Sequence, residues 1–578
     1  MNKMSLNLSS WEMNNLEEYD DYEDLTKKLP EIVVRVLLSR GITKESLDEF
    51  LNPRLSRHLP SPFNLKDMEK GALRLAKAIS DKEKIFIFGD YDVDGATSSG
   101  VLGLFLRYFG IDYEVKIPER DEGYGPNTEM LPEIKDKGYS LVFTVDCGTT
   151  SFEMLDKSKE LGLDVIIADH HQVAPTFPQS YAFINPKRLD EPANNPYYNM
   201  AAVGVVFLLV IATNTKLREM GFYNENLKEP DVRHLLELVA LGTICDMVSL
   251  TGINRTLVKH GLNYFGSNIG LKELSKNLIK NEIRSYHMGF ILGPRINAAG
   301  RVGVSSLGFR LLNSKTEEEA SKIVEELESL NSLRRDIEAE VLEEAVKEIE
   351  KTIKPEDKVI LVGSKNWHQG VIGIVAGKLR ERYGLTTLVM SYGDDGIAKG
   401  SGRANESIDL GFAITKASEI GIVEKGGGHL KAAGFSVAFE KIPELKAFLE
   451  EIISKDEVEI QKTIGIDAVL DISAVNVELA DALSALEPYG EGNSEPLFLI
   501  KQVVLHYFNI YKESLMVASL KDMAGNRINA KLFKQSNYNL FEELQKMKGS
   551  LIDVVGYVKA SEYKGKRNVE FMLVDVKI

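Results

Sequence analysis

From residue 84 onward one alternation repeats along the chain: a short apolar run ending in Gly or Asp, then an amphipathic stretch with helical spacing. "KIFIFGD" reads as a strand and "ATSSGVLGLFLRYFG" as a helix closed by Gly110. "YEVKIP", "LVFTVDCG" and "DVIIADHH" are further strands, with "NTEMLPEIKDKG" and "SFEMLDKSKELG" as the helices between them. Such alternation predicts an α/β fold with a parallel sheet wrapped by helices. "VRHLLELVALGTICDMV" adds helix toward the end of this domain, whose expected bounds are 81–315.

The pattern differs on either side. Residues 1–80 read as a mostly helical N-terminal elaboration. Residues 316–354 are dense in Glu and Lys, with Ile323, Leu327, Leu330, Leu333, Ile337, Val341 and Ile349 at helical spacing, so a long connecting helix is expected. A smaller α/β unit follows over 355–455, with glycine-dense stretches at 400–403 and 426–429 that read as turns. Over 456–578 several short β-type runs surround one helix, "NLFEELQKMKG", which suits a small barrel.

Length and composition sharpen this outline. At 578 residues three or four domains are expected. The apolar run "VVFLLVIA" is far short of the roughly 20 residues of a membrane span. The first residues lack a basic region followed by an apolar core, so no secretion signal is expected. Two cysteines, Cys147 and Cys245, exclude a disulfide framework and fit a reducing, cytoplasmic setting. A net charge of −16 argues against nucleic-acid binding by overall field. Residues 501–578 nevertheless hold thirteen Lys and Arg against eight Asp and Glu, leaving room for a locally basic surface.

The chemistry concentrates at strand ends. One run ends at Asp90-Tyr91-Asp92-Val93-Asp94, the next at Asp146, the third at Asp169-His170-His171. In parallel α/β sheets the ligand site lies just outside the carboxyl ends of the strands. A single aspartate there is commonly a helix cap; three strand ends carrying acids and imidazoles point to a site. Crowded carboxylates raise one another's pKa unless positive charge lies between them. An oxygen-rich set with imidazoles favours Mn²⁺ or Mg²⁺ over structural zinc. Two ions roughly 3.5–4 Å apart would use this many ligands and suit transfer of a phosphoryl group to water. Cys147 is expected as a small packed residue.

"DYDVDG", "VDCG" and "ADHH", in this order and spacing, resemble the first three motifs of the DHH phosphoesterases, and Asp246 in "LGTICDMV" matches the fourth. "KGGGHLKAAGF" is similar to the glycine-rich signature of the substrate-binding domain that follows DHH domains. "IPERDEGYGPN", "GPRINAAGRVG", "WHQGVIGIVAGKL", "KGSGRA" and "EPYGEGNSEPLF" carry the resemblance to members that degrade single-stranded DNA from its 5′ end. It runs from about residue 30 to the end. It implies metal ligation by Asp92, Asp94, Asp146, His170 and Asp246, with Asp146 bridging. Asp90 is implied as a further ligand, because Phe88 stands where many members have a histidine. Asp146, Asp169 and His171 are implied as the catalytic set, His171 touching the scissile phosphate or assisting proton transfer. Arg120, Ser401 and Arg403 are implied as the grip on the terminal 5′ phosphate. Arg295, Asn297 and Arg301 would line the DNA path, though Asn297 equally suits a cap or turn, and His429 would approach the site from the second α/β domain. The C-terminal barrel resembles an OB-fold, which binds single strands by stacking bases on aromatics beside basic residues. Its candidates are Tyr507, Phe508, Tyr511, Lys512, Lys531, Lys534, Tyr557, Lys559, Tyr563, Lys564, Lys566 and Arg567.

The expected protein is therefore a DHH-type α/β enzyme with two Mn²⁺ or Mg²⁺ ions, a single-strand 5′→3′ exonuclease of recombination and repair. Its implied partners are single-stranded DNA, a helicase and a single-strand-binding protein, with no membrane; a monomer is expected. The rivals are a phosphodiesterase for short oligoribonucleotides or cyclic dinucleotides, and an inactive replication scaffold.

Overall fold

The computed structural model describes residues 5–6, 9–14, 22–120, 122–123, 125–405, 408–455, 463–534, 537–563 and 566–578. The chain divides into two units, one of residues 46–334 with 487–494, the other of 1–45, 335–486 and 495–578.

The first unit is built on a five-stranded parallel sheet in the order Tyr113–Lys116, Lys84–Gly89, Tyr139–Val145, Asp164–Ala168, Ala182–Ile184. Its strands are apolar at successive positions because both faces are covered. Ile85, Ile87, Leu141, Phe143 and Ile166 face the larger core with helices Val93–Tyr108 and Ala202–Glu219. Phe86, Phe88, Val142, Val165 and Ile167 face the other core with Met154 and Leu155. Helix Ala202–Glu219 is apolar almost all round, and Val203, Val205, Val206, Phe207, Leu208 and Leu209 are all buried. Gly89 pairs with Val145, Val145 with Ala168, and Ala168 with Ile184. The residues that leave the sheet next, Asp90, Asp146, Asp169 and Asn185, are thereby set level along one edge. Residues 487–494 belong to this unit: the buried Arg255 donates to the carbonyl of Glu487 at 2.9 Å, and Leu250 N–H to that of Glu491 at 2.7 Å.

The second unit holds a sheet ordered Lys425–His429, Ala432–Ala438, Ile397–Arg403, Thr386–Tyr392, Val359–Ser364, parallel only between the last two strands. The glycine-dense stretches expected as turns are strands here. Their glycines answer close approach rather than chain reversal. A Cβ on Gly400 would strike the Phe435 ring, and one on Gly402 would stand 2.7 Å from Leu410. The C-terminal strands run Ala468–Val469, Phe498–Tyr511, Leu515–Lys521, Arg527–Phe533, Lys566–Lys577 and Leu551–Tyr563, and Phe498–Tyr511 pairs also with Leu551–Tyr563. This is the pairing of an OB-like domain.

Residues 1–80 do not stay together. Strand Ser10–Met13 pairs in parallel with Thr463–Ile466, and Trp11 Nε1 donates to Asp575 at 3.0 Å, so residues 1–45 go with the second unit and 46–80 with the first. Helix Glu317–Thr352 is continuous over 36 residues and contains the boundary. No described helix is long and apolar enough to cross a membrane.

Candidate functional site

The level edge of the parallel sheet assembles three overlapping groups whose ligand atoms lie within 4.8 Å of one another: Asp90, Asp92 and Asp146; Asp146, His170 and His171; Asp94, His170 and Asp246. Each member arrives by its own local logic. Asp92 caps helix Val93–Tyr108, accepting from Gly95 N–H at 3.0 Å. Asp94, in the first turn, accepts from Ala202 and Val203 N–H at 2.7 and 2.9 Å, which ties the start of helix Ala202–Glu219 to the site. Asp146 leaves its strand in the left-handed region at φ 59°, and its N–H donates to Ala168 carbonyl at 3.1 Å. Asp246 ends helix Leu236–Cys245. His170 lies among three carboxylates, with Nε2 3.4 Å from Asp146 and 3.9 Å from Asp94, and Nδ1 3.6 Å from Asp246.

Asp169 stands apart from these groups. It accepts Thr149 Oγ1 at 2.6 Å, Thr149 N–H at 3.2 Å, His170 N–H at 2.7 Å and His171 Nδ1–H at 2.8 Å. With Nδ1 so engaged, His171 turns Nε2 away from Asp169. Thr149 is held in turn by Asn185, whose Nδ2 donates to Thr149 Oγ1 at 3.0 Å and to His171 carbonyl at 2.9 Å.

The electrostatics separate the two kinds of carboxylate. Burial first, then Asp92, pushes Asp90 well up; burial, then Asp94, Asp92, Asp90 and Asp246, does the same to Asp146. Burial and neighbouring acids raise Asp94 to about 7 and Asp246 to about 9. Burial would also raise Asp169, but the hydrogen bond and charge of His171, with His170 and Thr149, hold it below the usual carboxylate range. Burial would lower His171, yet Asp169, Asp246 and Asp90 raise it to about 9. Crowded, raised carboxylates are the donors that a divalent cation satisfies. Asp90 Oδ1 and Asp246 Oδ2 are buried with no hydrogen-bond donor among the described residues, so this set of oxygens and imidazole fits a hard cation. Phe88 is buried in the sheet's outer core, and Asp90, two residues on, joins the ligand group. Cys147 is buried, with Sγ toward Phe88 carbonyl.

The other expected residues divide among several places. Arg120 stacks over the Tyr91 ring at 4.4 Å and donates to Gly300 carbonyl at 2.9 Å, which joins it to the loop carrying Asp90 and Asp92. Arg301 also bears on Tyr91 electrostatically. Arg295 is committed to Glu328 at 2.6 Å and to Ile291 carbonyl at 2.7 Å, and Asn297 is half-buried on the same helix, Gly293–Val302. Ser401 and Arg403 lie in the second unit, on strand Ile397–Arg403, where Arg403 Nη1 reaches Ser401 Oγ at 3.2 Å and Gly402 carbonyl at 2.8 Å. Burial, then Arg380, lowers the Arg403 pKa. His429 is exposed on strand Lys425–His429. In the OB-like domain Tyr507 and Tyr511 are exposed, Lys531 and Lys534 pair with Glu570 and Glu542, and Arg567 pairs with Asp481. Lys564 lies outside the described residues, as do the side chains of Tyr563 and Lys566.

Sequence reasoning missed Thr149, Asn185 and Lys187. The signal was present: "AFINPK" is one more apolar run ending in polar residues, but it carries no acid or histidine.

The N-terminal domain of the DHH family matches residues 84–243, the DHHA1 domain 356–455 and the RecJ OB domain 466–575. The chain is 32% identical over 592 residues to the single-stranded-DNA-specific exonuclease RecJ of Bacillus subtilis, spanning 98% of this chain and 71% of that protein. It is 34% identical over 500 residues to the RecJ of Escherichia coli, spanning 83% and 85%. The crystal structure of RecJ in complex with Mn²⁺ from Thermus thermophilus matches with a TM-score of 0.82 at 27% identity, covering 98% of this chain and 79% of that one. The chain belongs to the RecJ family of DHH-domain proteins.

Proposed function

We propose that this protein is a divalent-metal-dependent exonuclease that degrades single-stranded DNA from its 5′ end to 5′-mononucleotides. The observation that carries the reading is the set of raised carboxylates, Asp90, Asp94, Asp146 and Asp246, gathered with His170 at one edge of the parallel sheet. The family relation, to proteins named as single-stranded-DNA-specific exonucleases and crystallised with Mn²⁺ or Mg²⁺, supports it.

Asp90, Asp92, Asp94, Asp146, His170 and Asp246 would hold Mn²⁺ or Mg²⁺, whose charge activates water and stabilises a phosphate under attack. The chain's own residues do the rest. Asp169 fixes the His171 ring through Nδ1 and keeps it protonated, so Nε2–H is available to a phosphate oxygen or to the leaving 3′ oxygen. Asn185 and Thr149 keep Asp169 and the His171 backbone in place. Ser401 and Arg403 offer a hydroxyl and a shielded guanidinium fork that suit a terminal phosphate, and Arg120 adds a cation beside the aspartate loop. Cleavage between phosphorus and the 3′ oxygen leaves a new 5′ phosphate on the shortened strand. Exposed Tyr507 and Tyr511 in the OB-like domain offer stacking surfaces for bases. An activity restricted to single strands calls for partners that expose or coat them, a helicase and a single-strand-binding protein, in a cytoplasmic setting.

Digestion of 5′- and 3′-labelled single strands with Mn²⁺, with and without a 5′ phosphate, tests the reading. The expected result is early release of the 5′-terminal nucleotide, faster from phosphorylated ends and absent in chelator. Release from the 3′ end first, or a strong preference for a dinucleotide over a long strand, would overturn it.

A further inference from the structure

The fifth strand also delivers a charged side chain to the site, and it is a cation. Strand Ala182–Ile184 lies in parallel register with Asp164–Ala168, Ala168 opposite Ile184, so Asn185, Pro186 and Lys187 leave the sheet level with Asp169, His170 and His171. The exit loop is pinned on both sides of Lys187. Asn185 donates to Thr149 and to the His171 carbonyl, and its Oδ1 accepts Lys187 N–H at 2.8 Å. Asn195 Nδ2 donates to Pro186 carbonyl at 2.8 Å, and Arg188 Nη1 to Phe183 carbonyl at 2.6 Å and Asp67 at 2.8 Å. The lysine is thus carried on the same hydrogen-bonded frame that fixes Asp169 and His171.

Lys187 is half-buried, and its ammonium lies in the field of Asp246 and Asp169. It makes no side-chain hydrogen bond and no ion pair within 4.0 Å among the described residues. Two other shielded lysines behave differently: Lys216 lies 2.7 Å from Glu69 and Lys446 lies 2.8 Å from Asp357. A shielded ammonium beside carboxylates ordinarily closes onto one of them. Here the backbone is pinned and the ammonium, within the field of Asp246 and Asp169, contacts neither, with its three donors available to a third group. A group that can meet both cations bound by the acids and a nearby ammonium must be an anion with several oxygens.

We propose that Lys187 is a further substrate contact, its ammonium binding a non-bridging oxygen of the DNA phosphate seated at the acidic edge. The assignment rests on the exonuclease reading above, and complements Arg120 with a cation that arises from the catalytic sheet itself.

The test compares wild type with Lys187→Met and Lys187→Arg in the full chain. The probe is a 5′-phosphorylated single strand whose linkages carry a methylene group in place of the 3′ bridging oxygen, so that they resist cleavage and keep both non-bridging oxygens; its binding to Mn²⁺-loaded protein is followed by fluorescence anisotropy. Mn²⁺ affinity is measured by calorimetry and cleavage of the ordinary strand alongside. Loss of one charge-assisted hydrogen bond predicts roughly tenfold weaker strand binding for Lys187→Met, partial recovery for Lys187→Arg, and Mn²⁺ affinity unchanged or tighter. Lys187→Gln carries the same test if the methionine variant does not fold. Unchanged strand binding overturns the assignment. So does a loss of Mn²⁺ affinity that parallels the loss of strand binding, which would make Lys187 an organiser of the acids rather than a substrate contact. A wild-type protein that leaves single strands intact would overturn the exonuclease reading; cleavage by wild type with no change on substitution overturns only the role of Lys187.

Discussion

The acidic edge of the parallel sheet and the glycine-rich strand around Arg403 shield charge of opposite sign in opposite ways. At the first, strand ends and helix termini bring Asp94, Asp146 and Asp246 around His170 and set Asp90 and Asp92 beside Asp146, and burial with neighbouring charge raises the proton affinity of Asp90, Asp94, Asp146 and Asp246. At the second, glycines let neighbours close over the strand, and burial with Arg380 weakens the hold of Arg403 on its proton. A Cβ on Gly373 would stand 2.9 Å from Ser401 Oγ and 3.2 Å from Arg403 Nη2. The first set of charges calls for cations, whereas the Arg403 guanidinium is taken up in part by Ser401 Oγ and the Gly402 carbonyl.

Breaking the acidic edge has the largest expected effect. Asp146→Ala removes the carboxylate shared by two of the ligand groups, and single-turnover cleavage should fall roughly a thousandfold or more, with Mn²⁺ affinity reduced in calorimetry. Asp169→Asn sharpens the contrast within the same edge. It leaves the ligand groups intact but removes the charge that fixes His171, so cleavage should fall by about a hundredfold with Mn²⁺ binding retained. If both variants lost metal equally, the division between holding and orienting carboxylates would be wrong.

Arg403→Ala probes the opposite region. Its expected effect is a roughly tenfold loss confined to 5′-phosphorylated strands, with unphosphorylated strands and Mn²⁺ affinity unaffected, read from paired digestions. An equal loss on both strands would remove the case for a terminal-phosphate grip.

Glu237 provides a buried carboxylate away from the acidic edge, and should have the smallest effect on cleavage. Burial raises it from 4.5 to about 7, opposed by N–H donors of Gly266, Asn268 and Ser267. Its folded pKa exceeds its unfolded one, so the folded state binds more protons. The contribution of Glu237 to stability should decline as pH rises from about 4.5 to about 7 and then level off, by about 3 kcal/mol in all. Glu237→Gln should make the stability of the variant fall less steeply than wild type in denaturant titrations across this range, while leaving cleavage unchanged. A variant with the wild-type slope would place the proton uptake elsewhere.

Much of the acidic edge is legible in the sequence because each component is local: an apolar run, its terminal aspartate, and the helix that follows. Parallel pairing then makes the strand ends level without further information. What escapes is either non-local or lacks the expected residue type. Nothing near Ser10–Met13 announces Thr463–Ile466 as its partner, so the division of residues 1–80 between two units is invisible to pattern. Glycine density at 400–403 and 426–429 reads as turning, yet it serves an aromatic ring and a crossing backbone that only the folded sheet brings close. Arg295 has the residue type of a phosphate contact, and only the structure shows Glu328 occupying it. Asn185 and Lys187 stand at a strand end but are not acids, and a search for carboxylates and imidazoles passes over them.

The central claim is that the acidic edge holds the cations on which strand cleavage depends. Mn²⁺ titrated into chelator-stripped protein, with bound ions counted by calorimetry and release of the 5′-terminal nucleotide followed in the same samples, tests it most directly. The account predicts no release in chelator, release rising with occupancy, and both lost together in Asp146→Ala. Full release in chelator, or wild-type cleavage by Asp146→Ala, would contradict it.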